Sequence, residues 1–279
     1  MESFDLKRHR IMLDFTAFVE SSADNRLPSH NNTRIYDAPL IGFASAKDPL
    51  FSDFKDSQVI GPQFIIPIDW LPEAETVISY FLPFSKAIRN SNRFRGLPSE
   101  IWIDAKTFGE RFNNIARKYL VEYLTLLDGT ALAPSLDERF ISYETASNWS
   151  ERHIAYVAGL GTFGLHRALI TERGCAGRIG SVITTLKYKS TERNYKTYYD
   201  YCPYLTEGKC GVCMKRCPVS AIKKKERQKQ ICRRYLTNDV AANFAASQAC
   251  GKCSVSVPCE YSRPLSLKKE ENESIKKSI

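Results

Sequence analysis

The sequence predicts an α+β protein: a mixed α/β domain over residues 1–195, a small cysteine-rich domain over 196–265, and a charged tail over 266–279. Three observations carry this. Short β-branched and aromatic runs alternate with one long amphipathic pattern in the first part. No internal repeat interrupts it. Eight of the nine cysteines then fall between Cys202 and Cys259.

The elements follow in order. Pro39–Ala44 and Gln63–Ile68 are short strand-like apolar runs. Thr76–Leu82 is the strongest buried-strand candidate, β-branched and aromatic and stopped by Pro83. Phe108, Phe112, Ile115, Tyr119, Leu120, Tyr123, Leu124 and Leu127 recur at three- and four-residue steps, an amphipathic helix ended near Asp128-Gly129, whose aromatic stripe is read as core. Ser150–Ala158 reads as a second helix with Ser150 as its cap, and Ser181–Leu186 as a further strand. The polar, tyrosine-rich stretch 187–201 is read as a linker.

Composition bounds the class. Hydrophobic residues make up 43% and charged residues 25% of the 279, as in soluble globular proteins. No stretch approaches the roughly 18 apolar residues of a membrane span, and Met1–Lys7 carries no apolar run, so a cytoplasmic protein without a signal peptide or membrane contact is expected.

The cysteine spacing carries the chemistry. Cys210-Gly-Val-Cys213-Met-Lys-Arg-Cys217-Pro218 is a C-x2-C-x3-C-P run, followed by Cys232, by Cys250-Gly-Lys-Cys253 and by Cys259. Bacterial ferredoxins use C-x2-C-x2-C-x3-C-P, with the cysteine before proline reaching to the other cluster. Here Glu207 stands at the first position of that run, and Cys202 is the substitute. Thiolates suit the soft iron of such clusters, and two [4Fe–4S] clusters need eight. Crossing logic assigns Cys202, Cys210, Cys213 and Cys259 to one cluster, and Cys217, Cys232, Cys250 and Cys253 to the other. Zinc bound by the two C-x2-C pairs, a single cluster, or disulfides in an oxidising compartment are the competing readings. Cys175, alone in Glu172–Ala176, is read as an ordinary semi-buried thiol, with a catalytic or cofactor-facing thiol as the alternative. Oxygen-labile clusters favour an anaerobic or reducing compartment.

The formal charge of +9 invites a nucleic-acid reading. Two clusters, each about −2 with its thiolates, bring it nearer about +5. The excess is local, in Lys223–Lys229 and Arg233-Arg234. Such a patch balances cluster charge or docks an acidic electron donor, a reduced ferredoxin or flavodoxin. Gly159-Leu-Gly161-Thr-Phe-Gly164 matches G-x-G-x-x-G, but what precedes it reads as helix rather than strand, which argues against a dinucleotide fold. The glycines mark a tight turn or a close approach to another surface, a flat cofactor or a neighbouring helix.

Together these pieces resemble the epoxyqueuosine reductases. Glu151-Arg152 followed by Gly159–Gly164 is similar to that family's E-R-x6-G-L-G-x-x-G stretch, and Pro72–Ile78 to its P-x-A-x-S/T-V-I strand. Cys210–Pro218, then Cys232-Arg-Arg-Tyr-Leu-Thr237, then Cys250 and Cys253 follow in the family's order. The resemblance covers roughly residues 35 to 260. It implies a nitroreductase-like α/β domain, a ferredoxin-like two-cluster domain, and a cobalamin that takes single electrons from the clusters, as in the related reductive dehalogenases. It also places Gly159, Gly161 and Gly164 near the corrinoid.

The sequence departs from the family in three places. The family's proton-donating acid falls on Thr145, which leaves Glu144 beside it as the catalytic candidate, with Tyr143 and His153 next. The last cysteine group is altered to Cys253-Ser-Val-Ser-Val-Pro-Cys259, and the chain ends soon after it, where the family's longer members carry a tRNA-holding helical domain. This implies a divergent paralogue acting on a small-molecule substrate or a partner protein, with tRNA a weaker expectation. The alternative is a ferredoxin-type electron carrier for a partner protein, with no substrate chemistry of its own.

Overall fold

In the computed structural model, residues 4–143, 146–224, 228–245 and 248–264 are described. The central element is a four-stranded antiparallel sheet in the order Leu40–Ser45, Thr76–Pro83, Gly177–Thr184, Ala131–Leu132. Thr76–Pro83 is buried along its whole length because both faces are covered. Ile78, Tyr80 and Leu82 join Phe15, Phe112 and Leu120 in one core, and Val77 and Phe81 join Trp149, Ile154 and Phe64 in the other. The two-residue alternation of a strand divides the apolar side chains between the two layers.

Helix Glu100–Thr125 covers the first face. Ser99 caps it, its hydroxyl accepting from the Trp102 N–H at 3.1 Å. Phe112, Ala116, Leu120 and Leu124 point inward at four-residue spacing, as a core stripe. The helix stops where Asp128 turns left-handed at φ 61° and the Gly129 N–H bonds back to the Leu124 carbonyl. Helix Phe4–Ser21 packs alongside, Phe18 stacking on Tyr119 at 4.0 Å.

Three sequence expectations change. Gln63–Ile66 is not strand, and Pro67 opens a helical turn, Pro67–Trp70, as its fixed φ allows at a helix start. Ser150 precedes helix Glu151–Val157 but makes no side-chain cap; its hydroxyl lies 2.7 Å from His153 Nδ1 instead. Stretch 187–201 is no free linker: Tyr188 is buried beside Phe43, and Tyr198 stacks on Tyr156 at 4.6 Å.

The cysteine-rich segment docks on the sheet layer. Tyr235, Val240, Ala249 and Val255 share the core that holds Trp102 and Tyr188. The Cys175 and Ala176 N–H groups donate to the Cys259 and Glu260 carbonyls at 2.8 and 3.1 Å. No helix among the described residues is long and apolar enough to cross a membrane. Residues 265–279 and Lys225–Arg227 lie outside the described residues, so the tail and the middle of the basic patch are not placed.

Candidate redox site

Cys202, Cys210, Cys213 and Cys259 line one cavity. Cys202 precedes the short helix Pro203–Glu207, whose Leu205 N–H donates to the Cys202 carbonyl at 3.0 Å; burial holds the thiol above its ordinary pKa, against the nearby backbone N–H groups of Leu165, Leu205 and Tyr204. Cys210 is exposed and left-handed at φ 94°, and Cys213 is buried on helix Val212–Arg216. Burial, and the neighbouring cysteines, push the Cys213 thiol up to about 12. Cys259 is the exception, held down to about 5 by the Cys175 thiol, which donates to it at 3.8 Å, and by His166. The Ala168 N–H donates to His166 Nδ1 at 3.0 Å, so a neutral imidazole carries its proton on Nε2, which lies 3.4 Å from Cys259 Sγ. Cys175 is thus buried against a sulfur site rather than the isolated thiol the sequence suggested.

Cys217, Cys232, Cys250 and Cys253 line a second cavity, with Val219, Ala221, Ile222, Tyr235 and Leu236 as apolar wall. The Ala221 N–H donates to Cys217 Sγ at 3.2 Å. Burial pushes the Cys250 thiol up to about 12, against the Lys252 backbone N–H that bonds to it. Gly251, at φ +67°, lies flat against Trp102: a Cβ there would sit 2.0 Å from Trp102 Cζ2. Asn92 fixes the same turn, its side-chain amide donating to the Cys250 carbonyl at 2.8 Å. The Lys252 side chain is buried, which holds its ammonium down to about 8.

Two larger cavities adjoin these sites. One, of about 1250 Å³, is walled by Val59, Arg152, His153, Phe163, Tyr198 and Cys232, among others. The other, of about 720 Å³, shares Val59, Ile60, Tyr143, Arg152, His153 and Lys229 with it, and reaches inward to Arg117, Glu151 and Cys175. The space therefore touches the second sulfur site through Cys232, and the first through Cys175, in contact with Cys259.

The inner end of the smaller cavity is polar and braced. Glu151 pairs with Arg117 at 3.1 Å and accepts from the Ser135 and Ser181 hydroxyls at 2.7 and 2.5 Å. Burial raises its carboxyl above the usual range despite these partners. With both oxygens engaged, Glu151 anchors the helix start rather than facing a ligand. His153, enclosed by Phe54 and Phe163, is held down to about 3 by burial, so at neutral pH it is an uncharged imidazole.

Glu144 lies outside the described residues, while Tyr143 and Ala146, on either side in the chain, line both cavities. Gly159, Gly161 and Gly164 pack against Thr191, the Ile170 backbone and His166 respectively. Gly161 opens strand Gly161–Phe163, where a Cβ would lie 2.0 Å from the Ile170 carbonyl of strand Leu169–Thr171. None of the three lines either large cavity; their neighbour Phe163 does. Sequence reasoning missed His166, Arg117 and Lys252. Only Lys252, set inside a C-x2-C pair, carried a visible signal.

No family model matches the chain, and no curated protein does. Solved structures do match. An epoxyqueuosine reductase aligns with TM-score 0.51 and 16% identity over 93% of this chain and 68% of its own. The enzyme from Bacillus subtilis aligns at 0.50 and 16%, over 92% and 67%. A catabolic reductive dehalogenase aligns at 0.53 and 12%, over 96% of this chain and 38% of its own. The chain has the epoxyqueuosine reductase fold. It spans about two thirds of the reductases and under two fifths of the dehalogenase. An epoxyqueuosine reductase of the same fold, at TM-score 0.50 and 16% identity over 90% of this chain and 66% of its own, was solved with a modified tRNA stem loop.

Proposed function

We propose that this chain is an iron–sulfur oxidoreductase. In this reading Cys202, Cys210, Cys213 and Cys259 hold one [4Fe–4S] cluster; Cys217, Cys232, Cys250 and Cys253 hold a second; and the joined cavities take a corrinoid or the substrate itself. The observation that carries this is the sorting of eight cysteines into two quartets, each in its own cavity, with Cys232 also in the wall of the 1250 Å³ cavity. The donor chemistry fits. Each quartet is four thiols in a largely apolar wall, and backbone N–H groups point at Cys202, Cys217 and Cys250.

Bound there, the clusters supply one-electron transfer, and a corrinoid supplies strongly reducing cobalt chemistry. The chain's own residues do the rest. Phe163, Tyr198 and Val59 give the cavity flat apolar walls, and Arg152 and Lys229 give it positive charge. A nitroreductase-like α/β domain (1–195) and a ferredoxin-like domain (196–265) describe the division of labour. A cavity of this size favours a reductase over a bare electron carrier. Reduced ferredoxin or flavodoxin is the proposed donor. The substrate is a small molecule, with tRNA an option suggested by the stem-loop complex of a structural neighbour.

Anaerobic purification with iron and sulfide analysis, followed by titration with cob(II)alamin under EPR, tests this. About eight irons per chain and a base-off cobalt signal at one equivalent are expected. Eight irons with an unperturbed cobalt signal would remove the corrinoid, and zinc in place of iron would overturn the reading. Within it Glu144 is the proposed proton donor, so Glu144→Gln abolishes turnover while both clusters remain.

A further inference from the structure

Two cations beside the second quartet in the chain, Lys252 and Arg216, have no carboxylate partner among the described residues. Lys252, between Cys250 and Cys253, is 1% exposed, and among the described residues its ammonium meets the Asn92 and Phe94 carbonyls, at 3.3 and 2.9 Å, and the Phe94 ring, at 3.9 Å. Arg216, one residue before Cys217, grips the same two carbonyls with one nitrogen and reaches the Lys252 and Val255 carbonyls with another. Neither forms an ion pair with a carboxylate among the described residues. Glu260, the acid whose field reaches Arg216, is taken by Arg89 at 2.8 Å and Arg93 at 2.9 Å.

A buried ammonium held on carbonyls alone is costly, and a nearby negative charge offsets that cost. In the cluster reading a negative charge that acts on both is that of the second quartet's thiolates: Lys252 sits between Cys250 and Cys253, Arg216 directly precedes Cys217, and Cys250 is electrostatically coupled to each. Resting on the cluster reading above, we infer that the buried Lys252 and the half-buried Arg216 form a cationic brace that sets the charge balance of the second cluster and holds its reduction potential above the value its thiolates alone would give. They act on the cluster through space and are positioning residues.

Reduction adds one negative charge to a cluster, so removing a neighbouring fixed cation disfavours the reduced form. The test is an EPR-monitored redox titration of the anaerobically purified full chain, with the first cluster as internal standard. In Lys252→Met and in Arg216→Met, one of the two midpoint potentials falls. At fixed poise the reduced-to-oxidised ratio of that cluster drops about tenfold, about 59 mV for a one-electron couple. The other midpoint stays in place, and Arg216→Lys, which keeps the charge, stays near wild type.

A merely structural clamp would lose iron from the second site, in the Lys variant as in the Met variant, without a directed shift. If Lys252→Met does not retain its iron, the half-buried Arg216 pair of variants decides. Eight irons with both potentials unmoved would overturn the brace and leave the cluster reading standing. A wild-type protein without [4Fe–4S] signals would overturn both.

Discussion

The two sulfur cavities present the same residue type, yet what surrounds the sulfurs differs. The first is stitched to the sheet layer by hydrogen-bond donors: His166 and the Cys175 thiol on Cys259, with three backbone N–H groups near the Cys202 sulfur. The second is set against the turn between helices Lys86–Ser91 and Glu100–Thr125, where Asn92 and Phe94 of the turn and Trp102 of the second helix receive Gly251 and Lys252, and its neighbours carry full positive charge. Hydrogen bonds act on one sulfur at a time, whereas a buried cation acts on the whole cluster. Under the proposed function, two sites of one composition thus sit at different potentials, which would give electron flow a direction.

Breaking one site at a time tests their independence, and it is the largest effect expected. Cys213→Ala and Cys250→Ala should each lose about half the iron, and a loss of all of it from either would show that the sites stand or fall together. Gly251→Ala comes next. Its methyl would enter the Trp102 ring from a left-handed backbone, so a loss of about 3 kcal/mol is expected, with iron missing from the second site first. Thermal melts and iron analysis read both.

His166→Phe sharpens the contrast more gently. It removes one N–H donor from Cys259, and the first cluster's reduced fraction at fixed poise should fall about threefold while the second is unchanged. The smallest effect belongs to His153. Burial holds its pKa near 3, so below about 6.5 the unfolded chain takes a proton that the native state refuses. Stability at this site is therefore intact above pH 6.5 and is lost as the pH falls toward 3. His153→Gln should show a flatter melting temperature between pH 6.5 and 4.5; an unchanged slope would show that the imidazole is not shielded.

Much of this was legible in the chain. Thr76–Pro83 and helix Glu100–Thr125 announced themselves because a strand buried on both faces is largely apolar and β-branched or aromatic, and a one-sided helix must repeat every three to four residues. Gln63–Ile68 misled because a short apolar run has no period of its own, and the proline within it starts a helical turn as readily as it ends a strand. The tyrosines of 187–201 looked like linker because polar composition hides rings that stack on distant partners.

The same division holds at the site. The spacing of the cysteines is local, so turns of two and three residues between sulfurs could be read directly, and with them the iron–sulfur chemistry proposed here. What stands behind each sulfur is not local. His166 meets Cys259 across 93 positions, and Lys252 meets Asn92 across 160. By itself the sequence determined the number, type and spacing of the candidate ligands and the strongest secondary structure. Only the tertiary structure decided which charges and donors surround each quartet and where the open cavity meets it, because burial and through-space electrostatics depend on segments that only folding brings together.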